Sequence, residues 1–155
     1  MAKNNQQTEI TRIVIAVTEF APVQSLWREA LQHIRQSRAE LLALFLADDQ
    51  WHRAASLPFT REISRLSGVD MDFTSQRAKE IHKEAVERAQ RQLQQLAAEA
   101  NRKLAFEVLP ESDQNKVREI ATERPTILIV PSALANRPIF EELEKSGCRV
   151  VLIRD

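Results

Sequence analysis

The chain has 155 residues, 43% of them apolar and 28% charged, the make-up of one ordinary globular domain with a core of its own. Lysine plus arginine and aspartate plus glutamate number 22 each, so no net charge draws the chain toward nucleic acid or an anionic membrane surface. A single cysteine, Cys148, excludes an internal disulfide and any multi-cysteine metal site.

The opening residues, MAKNNQQTEITR, are polar and lack the apolar stretch of a signal peptide; residues 1–9 are expected to be flexible. No apolar run approaches the roughly 20 residues that cross a bilayer, so the expectation is a soluble, cytoplasmic chain with no membrane contact. Arg12–Val17 (RIVIAV) is short, β-branched and almost continuously apolar, the pattern of a strand buried on both faces, β1. Pro22 suits the first turn of a helix, where a missing N–H costs little. Leu26, Ala30 and Ile34 follow at helical spacing, and Trp27 and Leu31 widen the stripe. Glu40–Ala47 (ELLALFLA) reads as β2, ending at Asp48 and Asp49. The β-α-β unit so formed takes a right-handed crossover.

Gln50–Phe73 is less regular: Thr60 suits the cap of a short helix carrying Ile63 and Leu66 and stopped by Gly68. A long helix is predicted from Thr74 to about Lys103, with Ile81, Ala85, Ala89, Leu93, Leu96 and Ala100 as its buried stripe. Leu104–Leu109 is β3, ended by Pro110; Ser112 or Asp113 then caps a short helix with Val117, Ile120 and Ala121 inside. Thr126–Val130 is β4, Asn136 is expected to cap the last helix, Gly147 closes it, and Arg149–Ile153 is β5. There is no internal repeat or linker, so residues 1–155 read as a single domain. The element order predicts an α/β fold, an open parallel sheet with helices on both faces.

In the order and size of these elements the chain resembles the universal stress protein family over nearly its whole length. β1 (RIVIAV) leads to a helix, β2 (ELLALFLADD) to a long excursion, a long charged helix precedes β3, and RVVLIRD ends the chain. The resemblance implies a three-layer fold related to the adenine nucleotide alpha hydrolases, with five parallel strands in order 3-2-1-4-5. It also implies a homodimer formed by pairing β5 with its mate.

Nucleotide-binding members of that family carry an aspartate after β1, where this chain has Thr18. After β4 they carry Gly, two residues, Gly, nine residues, Gly and then Ser or Thr. Glycine there lets backbone N–H groups approach the phosphates. Here Pro131 and Leu134 stand in the places of the first two glycines. Proline offers no N–H, the leucine is expected to occupy phosphate space, and the β4–β5 connection is shorter than the family's. ATP or AMP held in the family's manner is therefore not expected; the expectation is no cofactor, with ATP or AMP in an altered crevice as the alternative.

Ligands of open parallel sheets sit beyond the carboxyl ends of the strands, where strand order reverses. The order above puts that crevice between β1 and β4, lined by Thr18, Glu19, Asp48, Asp49, Ser132, Asn136 and Arg137. Three carboxylates would repel phosphate unless a divalent cation intervened, so the functional reading is a small polar-ligand or cation site. Asn136 and Arg137 would serve an anion at the last helix's start. The simpler reading makes all of these strand-end and cap residues facing water. His33, His52 and His82 have no metal-ligand spacing, and His33 and His82 read as partly exposed surface positions. Ser132 has no nucleophile-elbow context, and Cys148 reads as a small core residue. A receiver domain would need acidic residues after β1, an aspartate directly after β3 and a lysine after β5; here β1 ends in Thr18-Glu19, β3 ends in Pro110, and Arg154 and Asp155 follow β5.

Gln50–Phe73 carries Trp51, Leu57, Phe59, Ile63 and Leu66 beside Arg53, Arg61 and Arg65, which suits either a protein-partner site or a cover for the sheet's open end. The apolar edge Val150, Val151, Leu152 and Ile153 would template pairing if bare, and a second copy would cover it. The expected function is a non-enzymatic stress-response or regulatory domain that acts as a dimer through partner binding. The alternative is a nucleotide or small-ligand sensor using a crevice at Thr18, Asp48 and Ser132. A hydrolase is the weakest reading, for want of an activated nucleophile or metal cluster.

Overall fold

A computed structural model describes residues 10–34, 38–47, 69–110 and 112–154. In chain order the elements are β1 (Arg12–Val17), α1 (Val23–Ile34), β2 (Glu40–Ala47), α2 (Val69–Glu99) and β3 (Leu104–Pro110). They continue with α3 (Gln114–Thr122), β4 (Thr126–Pro131), a 3-10 turn (Ser132–Leu134), α4 (Pro138–Lys145) and β5 (Arg149–Ile153). The strands form one five-stranded parallel sheet in the order β3-β2-β1-β4-β5, as the family resemblance implies. Residues 1–9 and the proposed short helix at Thr60–Leu66 lie outside the described residues.

Handedness explains which helix covers which face. The chain steps from β1 to β2 to β3 in one direction, then returns past them to β4 and on to β5 in the other. Right-handed crossovers therefore put α1 and α2 on one face and α3 and α4 on the opposite face. The two core clusters show this division. Ile13, Ile15, Val17, Leu41, Ala43 and Phe45 pack with Leu26, Trp27 and Ala30 of α1 and with Ala85, Ala89 and Leu93 of α2. Val14, Ala16, Leu42, Leu44, Leu128 and Val130 pack with Val117 and Ile120 of α3 and with Ile139, Phe140 and Leu143 of α4. Every residue of β1 and β4 is buried, which is why these strands read as unbroken apolar runs rather than alternating ones. Each fully buried large aliphatic side chain contributes about 1.5–3 kcal/mol relative to exposure.

The helices differ from expectation at their ends. α2 begins at Val69 rather than Thr74, so 69–73 belong to it and not to an irregular excursion. It stops at Glu99 because Asn101 adopts a left-handed conformation (φ 56°). The Asn101 N–H then donates to the Ala98 carbonyl (3.0 Å) and the Arg102 N–H to that of Ala97 (2.9 Å). Its buried seam is Ala85, Ala89, Leu93 and Ala97, mostly small residues that bring the helix close to the sheet, while Ile81 stays 39% exposed. Asp113, one of the two expected caps, starts α3 by accepting from the Lys116 N–H (3.2 Å). Among the described residues no helix is long and apolar enough to cross a membrane.

The amino edge of the sheet is closed by charge. Arg12, 8% exposed, pairs through Nε with Glu40 Oε1 (2.9 Å) and donates from Nη1 to the Ile120 carbonyl (3.0 Å). Its Nη2 lies 3.5 Å from Glu123. Arg124 approaches the same two carboxylates, at 3.5 Å from Glu40 and 3.9 Å from Glu123. A guanidinium this deep is tolerated because its donors meet carboxylates and the open end of α3.

Candidate functional site

The β1 and β4 ends meet at the point where strand order reverses, the position at which an open parallel sheet holds a ligand. The β1–β4 register pairs Ile15 with Ile129, and continuing it sets Thr18 level with Ser132. The topology thus brings together Thr18 and Glu19 from one strand end and Ser132 from the next. Thr18 begins a turn, accepting from the Ala21 N–H (3.2 Å), and this turn leaves Phe20 88% exposed on the same rim. Nothing in the spacing of VTEF singled out that aromatic ring. Asp48 and Asp49 lie outside the described residues, as do Trp51, His52 and the arginines of the following segment.

The connection after β4 corrects two expectations. Asn136 does not cap the last helix: Arg137 holds the cap position in extended conformation (φ −75°, ψ 128°), with no side-chain cap bond. The reason is Pro138, which occupies the first helical turn and disfavours helical backbone in the residue before it. Asn136 is left exposed in the preceding turn. Leu134 does not stand in the crevice either. It is 4% exposed and packs among Val130, Ile139 and Phe140, because the 3-10 turn rotates it inward.

That same turn engages the backbone. Pro131 has no N–H, the Ala135 N–H donates to the Ser132 carbonyl, and the Arg137 N–H to that of Leu134, each at 3.0 Å. These donors close a local turn instead of lining a phosphate cradle. Glu141 in the first turn of α4 already sets a negative charge at the helix's positive end. An anion approaching here would meet Glu141 and, across the rim, Glu19.

Cavities open at both edges of the sheet. An apolar notch of about 50 Å³ lies at the carboxyl edge between Leu46, Val117, Leu134 and Phe140. It holds only a few atoms, whereas small-molecule sites run to about 300–1,000 Å³. A larger open cleft, about 360 Å³, lies at the opposite, amino edge, lined by Thr122, Arg124, Thr126, Ser146, Gly147 and Cys148. The sequence carried no signal for it beyond Gly147, since it forms where the ends of α3 and α4 come together. Cys148 is buried there, its Sγ 3.7 Å from the Thr126 carbonyl, and burial pushes its thiol up to about 11. It is a small core residue and a poor nucleophile near neutral pH.

The two histidines among the described residues, His33 and His82, have structural partners. His33 Nε2 lies 3.0 Å from Glu29 one helical turn away, and the His82 ring meets Phe45 edge-on with centroids 6.0 Å apart. Among the described residues no three His, Cys, Asp or Glu side chains gather as a metal site. At the far side of the sheet, β5 is an edge strand. Val150, Val151 and Ile153 are half-buried and Leu152 is 49% exposed. No protein-family model, curated protein or solved structure matches the chain.

Proposed function

We propose that this chain is a non-enzymatic regulatory or stress-response domain of universal-stress-protein type, acting as a β5-paired homodimer by binding a protein partner. The observation that carries the reading is the β5 edge: five residues, Arg149–Ile153, with no charge between their ends and Leu152 half in water. Strand order 3-2-1-4-5 supports it, being the order the resemblance implies.

Two-fold pairing along this edge has a definite register. The axis stands perpendicular to the sheet, so residues opposed across it share a face and the axis passes through a residue. Centring on Val151 gives the longest ladder, with Val150 opposite Leu152 of the second copy and Arg149 opposite Ile153. A stable dimer needs about 800 Å² from each partner, more than one short strand offers, so the flanks of α1 and α4 contribute the remainder. The turn after β4 supports the absence of the family's ATP grip, since its amides bond locally. The second reading, a nucleotide or small-ligand sensor, draws on the level placement of Thr18 and Ser132 at the switch point.

Native mass spectrometry of gently purified protein, with and without magnesium-ATP, tests both. A dimer whose mass ignores ATP is the expected result. A monomer across micromolar concentrations would remove the dimer, and retained ATP or AMP would favour the sensor.

A further inference from the structure

We draw no further inference here: the strongest candidate, the apolar notch at the carboxyl edge of the sheet between Leu46, Val117, Leu134 and Phe140, carries nothing because no group in the structure shows what covers it.

Discussion

β3 and β5 are the two open edges of one sheet, and the chain enters both in the same way. Before β3, α2 ends on the left-handed Asn101; before β5, α4 ends on the left-handed Gly147 (φ 99°). Each turn closes with the same pair of bonds. At β5 they run from the Gly147 N–H to the Glu144 carbonyl (3.1 Å) and from the Cys148 N–H to that of Leu143 (3.0 Å). What the strands leave open is different. β3 has the exposed carboxylate of Glu107 at its midpoint and ends on Pro110, which has no N–H to offer a neighbour. If β3 paired with its own copy about its centre, Glu107 would face Glu107, and like charges directly opposed are destabilising. β5 has no such guard between Arg149 and Ile153. Two edges of similar geometry are therefore unequal as interfaces, and side-chain charge makes the difference.

The largest effect is expected from exchanging the guards. Leu152→Lys would put two ammonium groups into the proposed β5 pairing and is expected to weaken dimerisation by at least about 100-fold, roughly 2.7 kcal/mol. Because Leu152 is half exposed, thermal unfolding of the monomer should barely move. Light scattering across a concentration series reads the change. If the mutant stays as dimeric as the parent, the β5 interface is wrong. The converse, Glu107→Val, is expected to add a second association through β3 and shift some dimer into larger species, the β3 contact gaining about 0.2–1 kcal/mol for each repaired cross-strand pair. Unchanged stoichiometry would mean that something other than Glu107 protects that edge.

The next effect concerns the residue that leads into β5. Burial raises the Cys148 thiol from 9.0 to about 11, so the folded state holds its proton after the unfolded state has lost it. The stability tied to that proton is fully present below pH 9 and is lost as pH climbs through 11. Denaturant unfolding at stepped pH should show a decline in that window which Cys148→Ala removes. A decline that persists in Cys148→Ala would assign it to other groups.

The smallest effects compare the two turns. A Cβ at Gly147 meets nothing within 4 Å, so Gly147→Ala costs only backbone strain, about 1 kcal/mol. Asn101→Gly should change stability by no more than a few tenths of a kcal/mol, because asparagine already tolerates that conformation. Equal losses at both positions, measured by urea midpoint, would contradict the shared turn geometry.

Much of this fold was readable in the chain, for physical reasons that also mark where reading stopped. Arg149–Ile153 is legible to the residue, since a glycine turn bounds one end and Val150–Ile153 is uniformly apolar. β3 and β4 each run one residue past the end expected from sequence, to Pro110 and Pro131, because proline can close a strand without donating. The end of α2 was missed because Asn101's left-handed backbone leaves no trace in hydropathy. Arg137 rather than Asn136 at the start of α4 could have been found from Pro138 alone. At the candidate site, Thr18 and Ser132 follow from topology once the strand order is known. The inward turn of Leu134 depends on a 3-10 rotation that spacing does not encode. The partners that let Arg12 be buried, Glu40, Glu123 and the Ile120 carbonyl, are distant in the chain and leave no local trace beside it.

The Arg12 network also bears on the order of events in folding. Its bond to the Ile120 carbonyl joins residues 108 positions apart, so closing it early, before the intervening strands and helices form, carries a large loop entropy cost. A contact of that kind is expected to form after the folding barrier and to act as a latch against opening. Arg12→Met is accordingly expected to speed unfolding while leaving the refolding rate nearly unchanged, a φ-value close to zero. A chevron in which refolding slows instead would place this charged corner within the folding nucleus, and β1 would then find α3 before the sheet is complete.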